Sequence, residues 1–436
     1  MRKKIPVSAI KIGMYILELD RPWIETSFLF QGFAVMDDED ITKLNKHCEY
    51  VFIDTEQGLD IDHSNGDDDK LGTWHVDLTS QESEADTSRR LEQEMKATVA
   101  SSAARPPKYQ DKSSLEEELE VASETTVKTR NVIRSILDDV RLGKSIDTES
   151  AKAAVGNMVQ SIIRNPDAMV CLSQLKVKDE YTALHSLRVS ILALAFGRHL
   201  GFDEEQLNLL GLGALLHDVG KMKVPNDIIN KPGRLTEQEF DIMRSHVPEG
   251  VKILEATSGV HTVAIDVARY HHERSSGAGY AKGLKEGQIS HFGKIGGIVD
   301  CYDAITSDRA YHQGMSSHGA LKKMYEWRNT DFDPKLIEQF IQCMGIYPIG
   351  SLVEMTTGSI GVVATINRER RLKPKVVMIL TESKMPMKPP KVIDLMANLP
   401  GVEGKPLAIK AVLPSGTHDI NPTDFLPIRE DLFKSS

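Results

Sequence analysis

Residues of metal-ligand type stand inside or at the ends of apolar helical runs through the middle of this chain, and that pattern constrains the fold most. His217 and Asp218 follow Ala214-Leu215-Leu216, His271 and His272 follow the run from Ile265 to Tyr270, and Asp300 follows Ile295 to Val299. His185 and His246 lie in similar surroundings. A helix that turns its apolar face to a core carries such residues inward unless it ends there. An inward imidazole or carboxylate is costly unless it is hydrogen-bonded, paired or bound to a metal. One histidine on an apolar helix is usually a hydrogen-bonded core residue. Recurrence on several helices, twice as adjacent doublets, points instead to a shared site in an all-α domain.

From about Leu115 to Tyr347 no strand-type alternation is visible. Val127, Ile133, Ile136, Leu137 and Val140 keep helical spacing up to Gly143. A second helix from Asp147 to Arg164 is expected to end at Asn165-Pro166, because the residue before proline avoids helical backbone. Further helices are predicted near 179–200, 204–217, 236–254, 259–272, 289–307, 316–328 and 334–343. Residues 1–60 carry short β-prone runs (Met14 to Leu19, Phe33 to Met36, Tyr50 to Asp54) and read as a small α/β domain. Residues 61–114 are rich in acidic and small polar residues and read as an acidic disordered linker, in which Trp74, Val76 and Leu78 alternate like a short strand. Residues 115–347 form the helical domain. Residues 348–436, with the β-branched runs Val362 to Ile366 and Val376 to Leu380, read as a β-rich extension. The expected class is mainly α, flanked by these two smaller parts.

Composition narrows the function. A net charge of −10 argues against a dedicated duplex nucleic-acid binder. No apolar run is long enough to span a bilayer, and the basic N-terminus lacks the apolar segment of a signal peptide. Cys48, Cys171, Cys301 and Cys343 are widely separated. That excludes a paired-thiolate zinc module and a disulfide scaffold, and it fits a reducing, cytoplasmic setting.

The donor set itself is informative. Neighbouring residues on a helix point about 100° apart, so a doublet at a helix end places one side chain on each of two ions, or bridges them through the aspartate. Imidazole and carboxylate without thiolate suit iron, manganese or another first-row divalent ion. Two such ions polarise a phosphodiester and lower the pKa of a bridging water, which yields an attacking hydroxide at neutral pH. Asp218 is the natural bridging carboxylate.

The same residues carry a resemblance. His217-Asp218-Val219-Gly220-Lys221, Lys231-Pro232-Gly233, Met243 to His246, His271-His272-Glu273-Arg274, Gly277-Ala278-Gly279-Tyr280 and Asp300 to Tyr311 resemble the HD-GYP branch of the HD-domain phosphohydrolases. The match runs from about Lys178 to Tyr311, and more weakly to Tyr347. Ile10 to Tyr15 resemble the small domain of unknown function that often precedes HD-GYP domains in bacteria. The resemblance implies hydrolysis of cyclic di-GMP to pGpG, and on to GMP, in bacterial signalling. It implies two divalent metal ions held by His185, His217, Asp218, His246, His271, His272 and Asp300. Asp218 and Lys221 would be catalytic, and Lys221, Arg309, Tyr280, Gly279 and His312 would contact substrate. Tyr181, where some members place a carboxylate for a third metal, fits the two-metal members. The family loop usually reads Asp-Gly-Ser-Gly-Tyr-Pro, whereas this chain reads Ser276 to Ala281 without that aspartate and proline, which leaves the loop freer. This loop is the expected contact for signalling partners, and the helix pair at 115–164 reads either as a homodimer contact or as a packed pair covering the catalytic core.

Two other readings compete. One is a cyclic-dinucleotide receptor or docking module of weak activity, against which the complete ligand set counts. The other is an HD hydrolase of a different cyclic dinucleotide; base selectivity is not legible in the residues.

Overall fold

Short β-prone runs near the N-terminus pair into an antiparallel sheet in the computed structural model of this chain. The structure describes residues 2–20, 33–35, 38–55, 93, 109–174, 181–231, 233, 235–307, 314–368, 370–414 and 416–426. These fall into two compact units, one within Met1–Thr87 together with Asn226–Met243, the other within Ser88–Pro225 together with Arg244–Ser436.

In the first unit, β1 (Arg2–Pro6), β2 (Tyr15–Leu19), β3 (Phe33–Ala34), α1 (Asp38–His47) and β4 (Tyr50–Asp54) follow one another, with sheet order β1-β4-β2-β3. Strand alternation sends Val51 and Ile53 into a core with Ile5, Met14, Ile16 and Leu44. The opposite side of β4 carries Tyr50, with Lys4 Nζ 3.3 Å from its ring centroid. Of the linker read at 61–114, residues 61–108, including Trp74, Val76 and Leu78, lie outside the described residues except for residue 93.

The second unit opens with α2 (Leu115–Arg141), started by a Ser114–Glu117 capping box, and α3 (Thr148–Arg164), capped by Asp147. Asn165-Pro166 ends α3 as expected and also begins a helix that was not expected, α4 (Pro166–Ser173). Asn165 caps it and proline takes its first position, where the missing N–H costs nothing. Tyr109 to Ser114, read as the end of the linker, are ordered here: Tyr109 donates to Phe202 O at 2.7 Å, and Lys112 N to Arg164 O at 2.8 Å.

The core helices are α5 (Tyr181–His199), α6 (Glu204–Leu216), α9 (His246–Glu255), α10 (Thr262–Tyr270) and α11 (His291–Thr306), with α12 (Ser317–Glu326) and α13 (Pro334–Met344) behind them. In chain order α7 (Asn226–Ile229) and α8 (Glu237–Arg244), which fall in the first unit up to Met243, come between α6 and α9. The single helix predicted over 236–254 is therefore broken, at Ser245, which sets His246 at the start of a new helix. Helix α6 reaches α10 through Gly213, where a Cβ would stand 2.3 Å from Ala264 O. That closeness draws the C-terminal ends of both helices, and their His-Asp and His-His doublets, toward one point.

The extension forms a sheet ordered β8 (Pro386–Asp394), β7 (Lys375–Leu380), β6 (Ile360–Thr365), β5 (Leu352–Met355), β9 (Ile409–Leu413), every pair antiparallel. Its inner face continues the helical core. Arg368, in a turn to which the sequence assigned no role, pairs with Asp167 and, at 2.8 Å, with Asp111. No helix among the described residues is long and apolar enough to cross a membrane.

Candidate metal centre

Asp218 stands at the focus of the histidines, fully buried just beyond the end of α6. Its Oδ2 lies 3.4 Å from His185 Nε2 and 3.3 Å from His217 Nε2. Its Oδ1 lies 3.4 Å from His246 Nε2 and 3.8 Å from His271 Nε2. Asp300 Oδ1 is 3.1 Å from His185 Nε2 and 3.8 Å from His217 Nε2, and Asp300 Oδ2 is 3.9 Å from His272 Nδ1. Potential donor atoms of His185, His217 and Asp300 lie within 4.8 Å of one another, as do those of His246, His271 and His272, and of His217, Asp218 and His271. All seven residues named as ligands meet at one place.

Outer partners show which nitrogen of each ring faces the centre. His217 Nδ1 lies 2.8 Å from Ala214 O, and His271 Nδ1 lies 2.9 Å from Ala268 O. A carbonyl only accepts, so Nδ1–H donates and Nε2 is the nitrogen that faces the centre. His185 Nδ1 lies 2.7 Å from Asp303 Oδ2, a carboxylate also gripped by Arg188. Burial would raise the Asp303 carboxyl, but Arg188 and then His185 outweigh it and hold it ionised. Burial pushes the His271 imidazole down to about 3 and holds His272 well below the ordinary range. Burial opposes ionisation of Asp218 too, yet Lys221 first, then His217 and His185, keep it well below the usual carboxylate range.

The centre therefore crowds the inner ring nitrogens of His185, His217, His246 and His271 around the two oxygens of the Asp218 carboxylate. His217 Nε2 and Asp218 Oδ1 are buried without a hydrogen-bond partner among the described residues. Such crowding of acceptors is costly in a protein interior. A cation relieves it, and the residues fit divalent metal.

Lys221 follows Asp218 by three residues in a 3-10 turn, Val219–Lys223, and its Nζ pairs with Asp218 Oδ2 at 2.5 Å. The turn fits only because residue 220 is glycine: a Cβ there would stand 1.9 Å from His246 O. Tyr280 packs its ring on His272, centroids 4.4 Å apart and planes at 24°, and Gly279 lies against the backbone of residues 272–274. Arg309 and His312 lie outside the described residues, as does the Tyr181 side chain.

The sequence reading missed several residues. Asp303 and Arg188 orient His185, Glu273 anchors the Tyr280 loop by accepting from Lys282 N and Leu284 N, each at 2.8 Å, and Arg244 lies over the Tyr280 ring. A signal existed for the first pair. Asp303 follows Asp300, and Arg188 follows His185, by one helical turn, a spacing that keeps them on one face.

Residues 165–336 match the HD domain model, and residues 2–151 match a domain of unknown function, DUF3391, which reaches beyond the small domain read over 1–60. The chain is 35% identical over 398 residues to cyclic di-GMP phosphodiesterase PA4108 of Pseudomonas aeruginosa, an alignment that covers 91% of this chain and 89% of that protein. It is 33% identical over 166 residues to a cyclic di-GMP phosphodiesterase of Thermotoga maritima, covering 38% of this chain and 45% of the relative. It is 31% identical over 169 residues to 3'3'-cGAMP-specific phosphodiesterase 2 of Vibrio cholerae, covering 38% and 32%. A likeness that extends over nearly all of two chains, with an HD domain centred on the ligand cluster, allows one conclusion: the chain belongs to the HD-GYP family of HD-domain proteins.

Proposed function

We propose that this chain holds two divalent metal ions, iron or manganese, and hydrolyses cyclic di-GMP to pGpG. The observation that carries the reading is the Asp218 carboxylate, whose two oxygens face different pairs of inward imidazoles, His185 with His217 and His246 with His271. The relative from Pseudomonas, named for this activity and aligned over most of both chains, supports the substrate class.

Divalent ions bound here supply Lewis acidity toward a phosphodiester and a water of lowered pKa. His185, His217 and Asp300 would hold one, and His246, His271 and His272 the other, with Asp218 between them. Lys221 keeps an ammonium beside Asp218, with 20% of its side chain exposed, where it holds a nonbridging phosphate oxygen as a point charge. Arg309 and His312 would grip the rest of the dinucleotide, with Gly279 and Tyr280 framing its approach. Opening the ring adds water across the P–O3′ bond. The hydroxyl joins phosphorus and the proton goes to the departing 3′ oxygen, which leaves a linear dinucleotide with a 5′ phosphate.

The test is anaerobic turnover with iron or manganese, measured with metal content and product analysis, beside His217→Ala and Asp218→Ala. Turnover of cyclic di-GMP by the parent and loss in both variants is expected. Tight binding without turnover under any metal would favour a receptor, and faster turnover of 3'3'-cGAMP would reassign the substrate.

A further inference from the structure

His185, His217 and His271 each have the outer nitrogen tied by a hydrogen bond, to Asp303, Ala214 O and Ala268 O. His272 has no such tie: no hydrogen bond to its ring is present among the described residues. The rings of His271 and His246 meet it at 46° and 90°, whereas the Tyr280 ring lies nearly parallel to it at 4.4 Å between centroids.

Tyr280 is in turn held from several directions. Its backbone N donates to His272 O at 3.1 Å. Gly279 brings the chain so close to residues 272–274 that a Cβ would stand 2.5 Å from His272 O and from Arg274 N. Beyond it, the Glu273 carboxylate holds the amides of Lys282 and Leu284. The Arg244 guanidinium carbon lies 5.4 Å from the Tyr280 centroid, within range for a cation–π contact. Offset stacking of flat rings resists rotation as well as separation.

We propose that Tyr280 is a positioning residue for His272, setting the plane of that imidazole by stacking, as outer hydrogen bonds set those of His185, His217 and His271. The proposal rests on the reading of His272 as a metal ligand. It gives the Gly-Tyr pair a role distinct from substrate contact: Gly279 permits the approach and Tyr280 supplies the ring. Loss of an orienting partner around a ligand histidine typically weakens metal binding about 10–100-fold.

The test titrates metal-free full-length protein with Mn2+ against a competing chelator, for the parent, His272→Ala, Tyr280→Leu and Tyr280→Phe, with melting temperatures taken before metal is added. We expect Tyr280→Leu to weaken binding of one Mn2+ by about 10–100-fold, His272→Ala to weaken the same step, and Tyr280→Phe to bind like the parent because the ring remains. Should the leucine variant fail to fold, Tyr280→Met carries the same expectation. Parental affinity in Tyr280→Leu beside a weakened His272→Ala would overturn the stacking role alone. Equal losses in Tyr280→Phe and Tyr280→Leu would overturn it by assigning the effect to the hydroxyl. Parental affinity in His272→Ala would remove the ligand reading itself, and this inference with it.

Discussion

Asp303 Oδ2 sits 2.7 Å from His185 Nδ1, and the same carboxylate accepts from Arg188 Nε at 2.6 Å. The pair turns His185 Nε2 toward Asp218 and Asp300. Asp303→Asn keeps the shape, removes the charge and leaves Arg188 short of an ionic partner. We predict that metal affinity falls about 10–100-fold, read by chelator competition. Unchanged affinity would mean that His185 is oriented by something else.

Gly220 lies where the Asp218 turn meets the start of α9. A methyl group there would meet backbone, His246 O at 1.9 Å and Gly250 N at 2.5 Å, rather than a side chain that moves aside. Gly220→Ala should destabilise the chain toward the upper end of about 1–3 kcal/mol for overpacking and also reduce metal content. A variant with parental urea midpoint and metal content contradicts the packing described.

Acid should destabilise the metal-free protein well before its carboxylates protonate. Burial pushes His271 down to about 3 and His199 to about 4, from an ordinary 6.5. The unfolded chain then binds more protons than the folded one between about pH 6.5 and pH 4, so stability is complete above that window and falls as pH drops through it. Each histidine contributes up to about 1.4 kcal/mol per pH unit. Urea midpoints measured across the window check the slope; a flat profile contradicts it.

Glu273 fixes the loop after the His271-His272 doublet through its two amide contacts. Hydrogen bonds to a charged group contribute about 1.5–3 kcal/mol each. Glu273→Ala should therefore open the loop and speed tryptic cleavage after Lys282 or Lys285 by at least about tenfold, the equivalent of one lost bond. Parental cleavage rates would show that the loop is held elsewhere.

Much of the centre was legible because its ligands interrupt apolar helical runs: His217-Asp218 follow the buried stretch from Leu210 to Leu216, and His271-His272 end a helix that buries Ala264, Ile265, Val267 and Ala268. Helix periodicity reports a face, not a one-residue offset, so the break at Ser245 that presents His246 was hidden inside a continuous pattern. Pro166 was read only as a terminator, although asparagine followed by proline suits a helix start as well. Arg368 left no signal, since its partners Asp111 and Asp167 are distant in sequence and only the packed core joins them. Arg244 was equally silent, because stacking on Tyr280 depends on a loop whose path no local pattern encodes.

The most direct measurement is anomalous X-ray scattering from crystals loaded with manganese. The account predicts two peaks, one among His185, His217 and Asp300 and the other among His246, His271 and His272, with Asp218 between them. A single peak, or manganese bound away from Asp218, would contradict it.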